Sequence, residues 1–150
     1  MSKRIAIATA IAACLILTSC SRLFWMVASG SVASGIEVAF FEGRDQESHS
    51  RLPIVELTVS EWNSGSPSSP LWSLRGRASV ASIRYGDAPP GLEELGPAEP
   101  MKPGAVYVAL ARDGPRLRVP GGAVELFAIT PDGNVASCES LADCKAATGG

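Results

Sequence analysis

Val55-Glu56-Leu57-Thr58-Val59-Ser60 alternates apolar and polar residues without a break. A period of two puts Val55, Leu57 and Val59 on one face of an extended chain and Glu56, Thr58 and Ser60 on the other, as in a strand with one buried face. The same alternation recurs on both sides. Ile36, Val38 and Phe40 alternate with Glu37, Ala39 and Phe41, and Ala81, Ile83 and Tyr85 alternate with Ser82 and Arg84. Val80 is out of parity with this last set, so a bulge or bend is expected at Val80-Ala81. Leu71-Trp72-Ser73-Leu74-Arg75 reads as a further short strand. Residues 105–111 and 123–130 are apolar on both faces, which suits central strands.

The breakers between these runs set the fold class. Residues 63–70 read as a Ser/Gly/Pro loop. Residues 87–103 hold Pro89, Pro90, Pro97, Pro100 and Pro103, a spacing that no helix beyond a single turn at Leu92-Glu93-Glu94-Leu95 survives. Pro131-Asp132-Gly133-Asn134 is a turn that should fold Val135-Ala136-Ser137 back on the preceding strand. Residues 139–145 suit a short helix. Short strands separated by turn signals predict an all-β fold, a small antiparallel β-sandwich of about seven strands, with a small β-barrel as the alternative.

The N-terminus is of a different kind. Lys3-Arg4 precedes an uncharged, mainly apolar run over residues 5–17, thirteen in all, and then comes Leu17-Thr18-Ser19-Cys20. A basic start, a short apolar stretch and small residues are the parts of a secretory signal. Thirteen residues are too few to span a bilayer core, which takes about 20. Extending the run through Leu23 to Ala28 would set Arg22 near mid-membrane at high energetic cost. With cysteine directly after the small residues, the stretch resembles the signal and lipobox of bacterial lipoproteins. That resemblance implies cleavage before Cys20 and a diacylglycerol on its sulfur. Residues 1–19 would be the signal peptide, 20–35 the lipidated cysteine with a small-residue tether, and 36–150 a single domain. Trp25 suits a membrane interface. Ser21 rather than Asp after the cysteine implies, by the same resemblance, the outer membrane at its periplasmic face.

Processing simplifies the remaining counts. Removal of 19 residues leaves 131, one domain's worth. Lys3 and Arg4 leave with the signal while all 15 acidic residues stay, so the net charge falls from −2 to −4. A mildly acidic chain is not a nucleic-acid binder by bulk electrostatics. Cys14 leaves and Cys20 is lipidated, so Cys138 and Cys144 remain. In an exported protein two leftover cysteines read as one disulfide. A metal pair lacks neighbouring ligands beyond Glu139 and Asp143, and a redox pair usually has two residues between its sulfurs.

In mid-chain, Met101-Lys102-Pro103-Gly104-Ala105-Val106-Tyr107-Val108 resembles the apolar-x-Pro-Gly-x-x-Tyr-x-Val run of fibronectin type III and related Ig-like sandwiches. There the tyrosine fills a corner between sheets and its hydroxyl bonds back to nearby backbone. The resemblance implies that Tyr107 is this corner residue. Trp72, Tyr85, Tyr107, Val55, Leu57, Val59, Val108 and Leu126 are expected to be buried.

Few residues offer chemistry. The single histidine, His49, lies in a polar connector with Asp45 and Glu47. No phosphate loop, zinc-protease helix, dinucleotide glycine pattern or calcium loop occurs, and neither does Ser-x-x-Lys. Arg112, Arg116 and Arg118 flank Asp113-Gly114-Pro115 and are candidates for contact with an anion or partner. The expectation is a membrane-held, non-enzymatic envelope module without cofactor or metal, which binds a protein or envelope polymer. An inhibitor of a hydrolase such as a lysozyme, acting through residues 63–70 or 113–122, is the alternative. A small hydrolase using His49 is the third reading.

Overall fold

The computed structural model describes residues 24–42, 51–114 and 122–149. Nine strands and one helix follow in chain order: β1 (Phe24–Ser31), β2 (Gly35–Glu42), β3 (Leu52–Asn63), β4 (Ser66–Val80), β5 (Ser82–Arg84), β6 (Leu92–Glu94), β7 (Val106–Arg112), β8 (Gly122–Ile129), β9 (Val135–Cys138) and α1 (Leu141–Ala147). They form two antiparallel sheets, a small one in the order β1-β2-β5 and a large one in the order β6-β4-β3-β7-β8-β9. The all-β sandwich expected from the alternation is the fold. The strands number nine among the described residues rather than seven, because β1 and β6 add to the count.

The sheets are joined at two corners. The chain bends at Ala81, so that β4 belongs to the large sheet and β5 to the small one, and the Ala81 carbonyl accepts the Phe40 N–H at 2.8 Å. This is the irregularity expected at Val80-Ala81. On the opposite side Ser31 bridges Asn134, and the Val32 N–H donates to the Gly133 carbonyl at 2.9 Å. That contact depends on the turn after β8, where Gly133 takes φ 87°, a conformation that glycine adopts without strain. Between the sheets the core gathers Phe40, Ile54, Leu57, Leu74, Tyr107, Phe127 and Ile129, all fully buried. Phe24 meets Phe40 edge-on, and Trp72 meets Tyr85 at 5.1 Å.

Tyr107, on β7 between β3 and β8, is fully buried, as expected of it. Its ring stacks on Phe127 at 5.6 Å. Its hydroxyl accepts the Lys102 N–H at 2.7 Å and donates to the Lys102 carbonyl at 3.4 Å. Tyr85 is half-buried rather than buried, and its hydroxyl donates to the Glu99 carbonyl at 2.7 Å. Burial, with Tyr107 and Glu99 nearby, pushes its hydroxyl up to about 12.

Four expectations are corrected. The tether over 20–35 is cut short by β1, which pairs along its whole length with β2 and buries Phe24, Met26 and Ala28. Its alternate residues are apolar or small on both faces, which mimics a linker in composition. Residues 63–70 are not a loop: β3 and β4 form one long hairpin across the turn Ser64-Gly65, with φ 52° and 89°. Positive φ at both turn residues matches the twist of paired strands. Pro67 and Pro70 are tolerated there because that part of β4 pairs with β3 alone among the described residues. Val55 is only partly buried, since a register shift between Ile54 and Glu56 hands its inward place to Ile54. Leu92-Glu93-Glu94 forms strand β6 against β4 instead of a helical turn.

Candidate binding surface

The outer face of the large sheet is stepped. Opposed residues across antiparallel strands share a face, so the register defines its rows. At one end Val106 and Ala128 are covered by α1, whose Cys144 is fully buried against them, with Trp62, Leu126 and Leu141 around the rim. Ser140 caps this helix by accepting the Asp143 N–H at 3.2 Å. The Cys138–Cys144 disulfide, with 5.4 Å between Cα atoms, ties it to β9 as expected. The helix cover explains why Leu126, expected in the core, is only partly buried: it lies on the outer face under the helix edge. Val108 and Ser60, opposed in the next row, are both buried.

Beyond them the face opens. Thr58 opposes Leu110, and Leu110 opposes Val124. Leu110 is 38% and Val124 64% exposed. The last row is charged: Arg75, Glu56 and Arg112 lie side by side on β4, β3 and β7. Glu56 is 3.4 Å from Arg112 and 3.8 Å from Arg75. Thr58, Leu110, Val124, Glu56 and Arg112 line an open hollow of about 500 Å³. A second hollow, about 600 Å³, shares Val124 and continues over Leu126 to Trp25 and Val27 on β1. Trp25 is 47% exposed.

Glu125 lies beneath this second hollow on the inward side of β8. It is a buried carboxylate that accepts the Ala28 N–H at 3.3 Å and the Ser137 hydroxyl. It thus satisfies a donor on β1 that faces away from β2. Burial raises its carboxyl above the ordinary range, and the two hydrogen bonds pull partly the other way. A carboxyl whose pKa is higher in the folded state stabilises the fold while protonated, and that contribution is lost as pH rises through its folded value. Glu125→Gln keeps an acceptor for Ala28 and removes the charge. The variant is expected to be more stable than wild type at ~pH 7, with the gap closing towards ~pH 4 as the wild-type carboxyl takes up its proton. Urea unfolding across that range checks this; a variant less stable at neutral pH would mean that the charged hydrogen bonds outweigh the burial.

Of the site residues expected from sequence, the described residues include Arg112, Cys138 and Cys144. Arg112 is engaged by Glu56 on a central strand. Arg116 and Arg118 lie outside the described residues, as do Cys20, His49, Asp45 and Glu47. Glu93 and Glu94 are separated by the strand alternation, and Glu94 accepts the Trp72 Nε1–H. No group of three metal-ligating side chains occurs among the described residues. Leu110 and Val124 carried no signal in the sequence, because both sit in mainly apolar runs in which apolar residues occupy both faces. A search of protein families, curated proteins and solved structures finds no match to this chain.

Proposed function

We propose that this chain is a lipid-anchored envelope protein whose β-sandwich is a non-enzymatic binding or structural module, held by Cys20 at the periplasmic face of the outer membrane. Leu17-Thr18-Ser19-Cys20, behind a basic start and a thirteen-residue, mainly apolar run, is the observation that carries the reading. The exposed Leu110 and Val124 strip, flanked by charged residues, supports a binding role. Several acyl chains on one cysteine, at about 0.8 kcal/mol per buried methylene, hold a protein at a bilayer almost permanently. Cys20→Ser is therefore expected to move the protein from the envelope membrane fraction to the soluble fraction. Mass spectrometry of the wild-type N-terminal peptide should find a diacylated Cys20 at its first position. An unmodified Cys20 in membrane fractions would end the reading.

An inhibitor of a hydrolase such as a lysozyme is the second reading. One observation favours it: the β3–β4 hairpin carries an ordered, exposed tip, Asn63 to Ser66, closed by a two-residue turn. Stoichiometric inhibition of a lysozyme, abolished by inserting a Gly-Ser pair into the tip, would replace the first reading.

A further inference from the structure

The anchor and the fold are closer together than a tether of sixteen residues would place them. Cys20 stands four residues before Phe24, the first residue of β1. A chain advances at most about 3.6 Å per residue, so the backbone of residue 20 lies within roughly 15 Å of Phe24. The headgroup zone on each side of a bilayer is itself about 5–8 Å deep. On so short a leash, β1 stays at the membrane surface. The side chain that follows Phe24 is Trp25, directed outward.

Five large apolar side chains are exposed among the described residues, and three of them, Trp25, Leu110 and Val124, line the two hollows that meet at Val124. They mark an apolar strip along these hollows, bordered by Thr58, Ser137 and charged side chains, and Trp25 directly follows the first residue of β1. Tryptophan favours the headgroup level, where its ring is buried and its N–H stays wet. Among the described residues this face carries no basic cluster: Arg112 is held by Glu56, and Glu139 borders the second hollow. The chemistry it fits is therefore the apolar boundary of a bilayer rather than an anionic headgroup. A contact this small is weak for a free protein, but the leash makes it intramolecular and supplies a high effective concentration.

We infer that Trp25, Val124 and Leu110 form a membrane-docking face, which lays the sandwich against the same bilayer that holds its lipid. The inference rests on the lipid-anchored reading of Cys20. Docking fixes the domain's orientation and turns the β3–β4 hairpin and the residues of the other faces towards potential partners.

The test uses the full-length lipidated protein in vesicles of phosphatidylethanolamine and phosphatidylglycerol whose acyl chains are brominated near the headgroup. Bromine quenches tryptophan on contact, and Trp72 is buried in the core while Trp62 packs at the helix rim. Wild-type emission should be quenched relative to unbrominated vesicles, and Trp25→Phe should remove most of that quenching. Val124→Asp should reduce it by about twofold or more, with the thermal midpoint and the lipid mass unchanged. Val124 is exposed, so this change does not disturb the core. A lipidated protein that floats with the vesicles while its Trp25 remains unquenched overturns the docking face alone. An unmodified Cys20 removes the lipid-anchored reading and the docking face with it. Shielding of Trp25 from acrylamide without bromine quenching, together with a crosslinked dimer, would assign the face to a second copy and overturn the inference.

Discussion

Tyr107→Ala is expected to cost about 3–5 kcal/mol, the range for deleting a large buried aromatic. For a domain of this size that lowers the thermal midpoint by roughly 10–20 °C. The ring is fully buried and lies between β3 and β8, where it stacks on Phe127. Its loss opens a cavity in the middle of the large sheet, with both neighbouring strands held in register by β7. The hydroxyl matters separately. It fixes the Met101-Lys102-Pro103-Gly104 approach to β7 through both backbone groups of Lys102. The same approach is held by the Gly104 N–H on the Ile129 carbonyl at 2.7 Å. Tyr107→Phe keeps the ring and leaves the Lys102 N–H without its acceptor, which should cost about 1–3 kcal/mol. The order wild type, Phe, Ala in midpoint is the expected result. A Phe variant equal to wild type would show that the hydroxyl's bond contributes nothing. An Ala variant equal to wild type would remove Tyr107 from the core altogether.

Much of this architecture was legible in the sequence because the strands that matter most are half-buried, and half-burial writes itself as alternation. Leu57 and Val59 point inward as their parity requires. The turn at Pro131-Asp132-Gly133-Asn134 was readable because each residue there has a local role: the Thr130 hydroxyl donates to Asp132, and the Asn134 side-chain amide donates to Asp132 at 2.7 Å. Those two bonds hold the Asp132 carboxyl below the usual range. Other features depend on contacts that no local pattern reports. A register shift beside Val55 reverses parity by one residue, and only the partner strand reveals it. Ser64-Gly65 is a hairpin turn hidden among serines and prolines that individually argue for a loop. β1 reads as a linker because its burial comes from Phe40 and the rest of the core, far away in sequence. The candidate surface was the least legible part. Val124 and Leu110 are as apolar as Phe127 and Ala109, and differ from them in which face of the strand they occupy. That choice is made by the sheet and by where α1 stops covering it.

Reducing the disulfide is expected to act first on one end of the molecule and only then on the whole. Closing a seven-residue loop removes unfolded-state entropy worth about 2–2.5 kcal/mol in the chain-entropy model, a factor of about fifty in the equilibrium constant. The crosslink joins β9 to a helix of seven residues. A helix this short is unstable without tertiary support. Its own hydrogen bonds cannot replace the covalent tie. Once reduced, α1 should detach in a local opening and uncover Val106, Ala128 and Trp62. The Trp62 Nε1–H, which is buried without a hydrogen-bond partner among the described residues, would then reach water. That gain makes local opening easier than the apolar burial alone suggests, because an unpaired buried donor is destabilising where it stands. Trp72 lies in the other cluster and should not respond. The expected result for Cys138→Ala/Cys144→Ala is thus a red shift from Trp62 and faster amide exchange in β8 and β9, at denaturant concentrations where Tyr107 and Trp72 are still packed. Trp62→Phe in the same background should abolish the shift. If the fluorescence change coincides with global unfolding, the helix is not a separate unit and its packing, rather than the crosslink, holds that end of the sheet.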